Sequence, residues 1–313
     1  MTLDAADTAD ILRIGTRGSE LALWQAKHVA AALETAWPGL TVEVEVIKTK
    51  GDKILDVALS KIGDKGLFTK EIENALAAGD VDLCVHSMKD VPTKLADEFE
   101  LAAMMRRADP RDALICPAGT RFEDLPKGAK LGTSSLRRVA QLQALRPDIE
   151  TGSVRGNVAT RMSKAKDGTF DAVILAAAGI KRLGLEEKIT ALFPVDVLIP
   201  AVGQGAIGIE IRKGDQRTAG YLKAIADEET MRDVFAERVL MEALEGGCQV
   251  PIGCYARQEE DAYRLDAFVA SLDGSRMIKA HMRGTAEEAN ELAEKAVECL
   301  IEQGAREILE DLR

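Results

Sequence analysis

The chain has few aromatic residues, no paired-cysteine motif, no phosphate loop and no long apolar run. Phe, Trp and Tyr make up 4% of its 313 residues, too few to build the stacking platforms that hold single-stranded nucleic acid. Formal net charge is −11, whereas nucleic-acid backbones are met by basic faces. Both features argue against a nucleic-acid protein. Cys84, Cys116, Cys248, Cys254 and Cys299 include no Cys-x-x-Cys pair, and His28, His86 and His281 are scattered. That spacing carries no zinc motif, so no metal is expected. Odd, irregularly spaced cysteines fit reduced thiols in the cytosol. The acidic stretch Met1 to Asp7 lacks the apolar core of a secretory leader. The longest apolar run, Ala172 to Ile180, is far short of a bilayer span. A cytoplasmic protein with no membrane partner is expected.

Nucleotide binding is disfavoured in the same way. No Gly-x-x-x-x-Gly-Lys-[Ser/Thr] loop exists. Gly203-Gln204-Gly205-Ala206-Ile207-Gly208 matches the dinucleotide fingerprint, but that motif must open a helix. Ile207 to Ile211 alternates like a strand, which points instead to a hinge or loop.

What is present reads as an ordinary globular chain, 46% hydrophobic and 30% charged, long enough for about two or three domains. A strand near 11–16 leads to a helix from Ser19 to Ala36, closed by Pro38-Gly39. An alternating strand follows at 41–47, then a helix from Thr69 to Ala78 stopped by Gly79, then a strand at 81–86. The order predicts a parallel-rich sheet with covering helices. A second round begins at Lys130-Leu131-Gly132, with helices at about 135–145 and 157–166 and strands at 149–152 and 170–175. Crossovers are expected near Arg106 to Asp112 and near Pro194 to Pro200. From Glu228 the character changes: a helix at 230–244, strands near 254–256, 263–271 and 276–282, and a helix at 286–303. The fold class is α/β, with two α/β domains of like design around a central cleft and a smaller C-terminal α+β domain. Ligands in such sheets collect at strand C-terminal ends, between the domains.

The arginines sharpen that expectation. Ile14-Gly15-Thr16-Arg17-Gly18-Ser19, Gly132-Thr133-Ser134-Ser135-Leu136-Arg137-Arg138 and Thr151-Gly152-Ser153-Val154-Arg155-Gly156-Asn157 each place Arg where a helix begins. A helix start is already partly positive, so cations there oppose the macrodipole. Backbone N–H groups, hydroxyls and a guanidinium fork together suit a carboxylate or phosphate. Three such junctions suggest a ligand with several negative groups. Lys89-Asp90, at a strand exit beside Pro92, reads either as a turn or as an acid/base pair on the cleft rim. Lys61, Lys65 and Phe68 lie in a Gly-rich loop that is equally readable as an ordinary connection. Cys248 stands between Gly246-Gly247 and Pro251 in a turn. An unpaired cysteine is most often inert and buried, which suits Cys84 better than Cys248.

Together these segments resemble the porphobilinogen deaminase (hydroxymethylbilane synthase) family. The matching stretches are Ile14 to Arg17, Leu21 to Ala26, Lys65 to Phe68, Val85 to Pro92, Gly132 to Arg138, Arg155 to Asn157, Pro200 to Gly205 and the Cys248 loop. The resemblance implies a transferase of tetrapyrrole and heme biosynthesis. It would join four porphobilinogen units head to tail, release ammonia each time, and free linear hydroxymethylbilane by hydrolysis. It also implies two periplasmic-binding-protein-like domains, here 1–106 with about 201–223 and 107–200, and a third at 228–313. The two hinge strands would run close together. The dipyrromethane cofactor would be attached through Cys248, and Asp90 would be the catalytic aspartate. Arg17, Ser19, Lys89, Thr133, Ser135, Arg137, Arg138, Arg155 and Arg161 would hold primer and substrate carboxylates. Arg182 and Gln204 would lie near the growing chain, and Lys61, Lys65 and Phe68 would belong to a flexible loop. Porphobilinogen would be the only partner of a monomer. Lys50 stands where the family pattern leads one to expect Arg, Asp64 replaces a small residue, and Cys254 is an extra thiol open to competing oxidation. A non-enzymatic two-domain receptor for a small polycarboxylate explains the halves and the arginines, but not the cysteine-bearing third domain.

Overall fold

Strand β1 (Asp10–Thr16) ends in a turn from which Ser19 caps helix α1 (Glu20–Ala36), accepting from the Ala22 N–H at 3.3 Å. The computed structural model describes residues 10–49, 69–244 and 250–312. After α1 come strand β2 (Leu40–Val46), helix α2 (Lys70–Ala78) and strand β3 (Leu83–Ser87). Gly79 ends α2, as its sequence position suggests. A single 3-10 turn, Met88–Asp90, then breaks the chain away from the sheet toward strand β4 (Phe99–Met104).

The second half repeats this plan. Strands β5 (Asp112–Ile115) and β6 (Lys130–Gly132) precede helix α3 (Leu136–Leu145) and strand β7 (Glu150–Gly152). Asn157 caps helix α4 (Val158–Lys166) by accepting from the Thr160 N–H at 2.8 Å. Strand β8 (Ala172–Ala176), the short helix α5 (Ala177–Arg182) and strand β9 (Ala191–Leu192) complete it. Strand β10 (Ile207–Arg212) and helix α6 (Gln216–Leu222) follow.

The strand orders make the likeness explicit: β2-β1-β3-β10-β4 in one sheet and β7-β6-β8-β5-β9 in the other. In both, the first three strands are parallel and the fourth runs antiparallel to its neighbours. Four strands of each five run in one direction, and only the fourth in each order opposes them. The exception has a topological cause. Each antiparallel strand is the first one delivered after the chain crosses between sheets, β5 after residues 105–111 and β10 after residues 193–206. The crossing segments touch, with Ala108 donating to the Gly205 carbonyl at 3.1 Å. Gly205 has a φ of +93°, and a β-carbon there would lie 2.5 Å from the Ala108 carbonyl oxygen. The Gly-x-Gly motif therefore serves backbone-to-backbone approach at the crossing, and β10 is a strand.

The alternation of β10 does not mark a half-exposed strand. Ile207, Ile209 and Ile211 pack with α1 residues Val29 and Leu33, while Glu210 on the opposite face is fully buried.

Helix α7 (Glu228–Ala243) begins the last unit, capped by Asp227, which accepts from the Thr230 N–H, with Glu228 and Glu229 in its first turn. The antiparallel strands β11 (Ile252–Gln258), β12 (Tyr263–Ala270) and β13 (Met277–Gly284) form a meander. One face is covered by α7, helix α8 (Ala289–Glu302) and helix α9 (Ala305–Glu310). Cys254 lies in this core with no exposed surface, and burial pushes its thiol well above the usual range. Competing oxidation at Cys254, which the sequence left open, is thus opposed both by access and by ionisation. No helix among the described residues is long and apolar enough to cross a membrane.

Candidate active site

The strand ends of the two sheets bring their loops close enough for Lys89 of one to act on Arg138, Asp112 and Arg161 of the other. Arg17 and Ser19 sit at the β1–α1 junction, Lys89 and Asp90 in the turn after β3. Thr133, Ser135, Arg137 and Arg138 sit at the β6–α3 junction, Arg155 and Arg161 at and beyond the β7–α4 junction. Thr133 is buried, its N–H donating to the Gly152 carbonyl at 2.8 Å and its Oγ1 accepting from the Ser135 N–H at 3.3 Å. Ser134 ties the two second-sheet junctions together, donating to the Val154 carbonyl at 2.6 Å and accepting from the Val154 N–H at 3.0 Å. The first turns of α3 and α4 hold no acidic residue, unlike the first turn of α7. Their positive ends are not answered from within the helix.

Arg137 and Arg138 differ from the sequence expectation of open anion-binding forks. Both are buried against Asp112, the first residue of β5. Arg137 donates through Nη2 to Asp112 Oδ2 at 2.7 Å and through Nη1 to the Ile199 carbonyl at 2.6 Å. Arg138 donates to Asp112 Oδ1 through Nε at 2.9 Å and Nη2 at 2.6 Å, and to the Ile174 carbonyl at 3.0 Å. Gln204 Nε2 adds a bond to the same carboxylate at 2.9 Å and another to the Pro110 carbonyl at 2.6 Å. Burial alone would raise the Asp112 carboxyl; the two guanidiniums outweigh it and hold the pKa at about 2. Two groups remain unmatched: Arg137 Nε and Gln204 Oε1 are buried without a hydrogen-bond partner among the described residues.

Positive charge is left over around this knot. Lys89 is brought down to about 8 by burial, with Arg138 and Arg161 adding repulsion while Asp90 and Asp112 oppose it. Arg161, which donates to the Gly156 carbonyl at 2.8 Å, is lowered by burial and by Arg138 and Arg155. Five cations thus act on two carboxylates, Asp90 and Asp112. Asp90 itself is exposed on the rim. Arg182 reaches across to the Gly205 carbonyl at 2.7 Å and lies over the Trp24 ring at 5.8 Å, its pKa lowered to about 10 by burial. It joins the second unit to the crossing rather than to the Lys89 group. Cys248, Lys61, Lys65 and Phe68 lie outside the described residues.

Sequence reading missed Asp112, whose one visible signal is Asp109-Pro110-Arg111-Asp112 at a crossover, and missed Glu237. Glu237 on α7 is fully buried and accepts from Arg107 Nη1 at 2.5 Å, the Gly203 N–H at 2.6 Å and the Ala256 N–H at 3.0 Å. One carboxylate so ties both crossings to β11.

A model of the porphobilinogen deaminase dipyromethane cofactor binding domain matches residues 12–220, and one of the porphobilinogen deaminase C-terminal domain matches residues 231–302. Porphobilinogen deaminase of Syntrophobacter fumaroxidans is 50% identical over 306 residues, 97% of this chain and 99% of that protein. That of Carboxydothermus hydrogenoformans is 48% identical over 300 residues, 96% of each chain. Among solved structures, a TRAP periplasmic solute binding protein from Desulfovibrio salexigens is 12% identical with a TM-score of 0.42, over 71% of this chain and 74% of that one. With matched segments running from residue 12 to residue 302 and relatives about half identical along nearly their whole length, this chain belongs to the porphobilinogen deaminase family.

Proposed function

We propose that this chain condenses four porphobilinogen molecules head to tail, releasing ammonia at each addition and linear hydroxymethylbilane by hydrolysis. The observation that carries this reading is the excess of buried and half-buried cation around Lys89, Arg138, Arg155 and Arg161, beside the exposed carboxylate of Asp90. Like charges packed this closely cost stability unless an anion joins them. A pyrrole bearing acetate and propionate supplies such anions.

The same surplus, the acid-free starts of α3 and α4 and the unmatched Arg137 Nε fit a covalent dipyrromethane with four carboxylates, carried on Cys248. When bound, that group supplies the free pyrrole carbon to which the first substrate is joined. Arg17, Ser19, Lys89, Thr133, Ser135, Arg155 and Arg161 hold carboxylates; Arg137 and Arg138 act from within the Asp112 knot. Arg182 and Gln204 line the crossing. Asp90 accepts the N–H of the incoming pyrrole and stabilises the cation that develops as ammonia leaves. Its carboxylate also takes or returns a proton at the leaving amine. We read the chain as a monomer divided into 1–106 with about 201–223, 107–200 and 228–313. The odd number and irregular spacing of the cysteines fit residence in a reducing cytosol.

Porphobilinogen turnover and intact mass test the reading together. The purified chain should release ammonia and a linear tetrapyrrole, and should carry an adduct mapped to Cys248. Cys248→Ser should lose adduct and turnover, while Cys254→Ser keeps both. Asp90→Asn should retain the fold and lose about 10²–10³ in turnover, the scale of removing a preorganised electrostatic partner. Binding of porphobilinogen with no ammonia release would instead establish the receptor reading.

A further inference from the structure

We propose that Cys84, His86 and Glu210 form a binding site for a thiophilic divalent cation of the zinc class, inside the first sheet and behind the turn that carries Asp90. Cys84 and His86 are alternate residues of β3, so both side chains leave the same face. Glu210 pairs directly with Cys84 on the adjacent antiparallel strand β10, which places it on that face too. The Cys84 Sγ, a ring nitrogen of His86 and a carboxylate oxygen of Glu210 all lie within 4.8 Å of one another, and all three residues are buried.

The present bonding leaves the cluster incomplete. His86 Nε2 and Glu210 Oε2 are 2.8 Å apart, but Glu210 Oε1 is buried with no hydrogen-bond partner among the described residues. An orphaned carboxylate oxygen in a dry interior is costly. Among the described residues the Cys84 thiol donates one hydrogen bond, to the Ile72 carbonyl at 3.8 Å, a weak one. Glu73 on α2 and Arg212 on β10 also act on the group. One divalent cation would take the thiolate sulfur, the imidazole nitrogen and the orphaned oxygen, with the thiol proton leaving to solvent.

The donor set selects the ion. Sulfur and imidazole nitrogen favour zinc, cobalt or cadmium over magnesium or calcium, which take oxygen. Zinc–ligand lengths of about 2.0–2.3 Å require the three atoms to close by about 1 Å, within reach of side-chain rotation. Sequence spacing hides the site, because its third ligand comes from a strand delivered by the second crossover, 124 residues after His86. The expectation of no metal rested on local spacing alone.

Cobalt is the probe. Primer-loaded protein, stripped with chelator, should bind one equivalent of Co²⁺ with a thiolate-to-cobalt charge-transfer band, displaced by Zn²⁺, and either ion should raise the unfolding temperature. Cys84→Ala should abolish the band, and Cys254→Ser and Cys299→Ser should keep it. Glu210→Gln should weaken binding by more than the roughly 10–100-fold that loss of an outer-sphere partner costs. Should Glu210→Gln not fold, Cys84→Ala decides alone, since alanine suits the apolar side of that site. No stoichiometric binding by parent protein, or a band that survives Cys84→Ala, overturns the proposal.

Discussion

Two buried ionic knots lie on either side of the crossing and are built from the same residue types, yet one is closed and the other open. In the first, Glu237 faces Arg107, and each has its remaining groups matched: Arg107 Nε donates to the Gln204 carbonyl at 2.9 Å, and the Glu237 oxygens take the Gly203 and Ala256 N–H groups. Charge balances one to one, and Arg107 lies over the Tyr255 ring at 4.9 Å. In the second, Asp112 answers two arginines, and an Arg Nε and a Gln Oε1 stay unmatched. A buried pair that balances and is fully bonded holds a fold in one arrangement; one that does not carries a cost that a bound anion would relieve. The closed knot sits where three sheets meet, and the open one sits where a polyanion is expected.

Breaking the closed knot should have the larger effect. Glu237→Ala leaves Arg107 buried and unpaired and frees two backbone N–H groups, so unfolding free energy should fall by about 3–5 kcal/mol. Porphobilinogen and primer should not restore it, because neither reaches Arg107. Denaturant unfolding of primed and primer-free protein checks both statements; a loss recovered by the primer would erase the distinction between the knots.

Asp112→Asn should cost about 3 kcal/mol in primer-free protein, since two guanidiniums lose their shared counter-charge. Here the primed protein should lose less, the primer carboxylates standing in for part of that charge. Equal losses in the two forms would make Asp112 a packing residue only. Arg155→Leu comes next: no described residue pairs with Arg155, so stability should move by less than about 0.5 kcal/mol. Affinity for substrate should drop by about 1.5–3 kcal/mol, the range for a hydrogen bond to a charged group, with partial rescue by Lys. Calorimetric binding and thermal unfolding on one variant separate the two.

Much of the fold was legible because its signals are local. The helices expected to begin at Ser19 and Asn157 do begin there, with both residues as their caps, and Gly79 stops α2. The repeated grammar of the halves was visible, and so was the strand character of Ile207 to Ile211. What escaped was set by contacts distant in sequence. The antiparallel insertion of β10 depends on which sheet the second crossover enters. Asp112, Glu237 and Glu210 each look like an ordinary acidic residue until strands far along the chain close over them. Arg137-Arg138 shows the same limit from the other side: spacing located a cationic junction, but not that its forks already grip a carboxylate.

The smallest expected effect bears on how open the second knot is. Lys89 is held near 8 by burial and by its arginine neighbours, below the usual value of about 10.4 for a lysine. The folded protein therefore binds fewer protons here than the unfolded chain between those values, and this group's contribution makes stability rise with pH across that window. At neutral pH its ammonium is retained against repulsion, and a substrate carboxylate would relieve it. Raising pH through about 8 should neutralise Lys89 in the free enzyme and raise KM for porphobilinogen a few-fold, with kcat changing less. A bound carboxylate favours the charged form, so the same limb should appear at higher pH in kcat than in kcat/KM. Lys89→Met should flatten the KM limb and leave a higher, pH-independent KM. A limb that persists unchanged in Lys89→Met would assign the titration to another group and leave the open knot with one fewer adjustable charge.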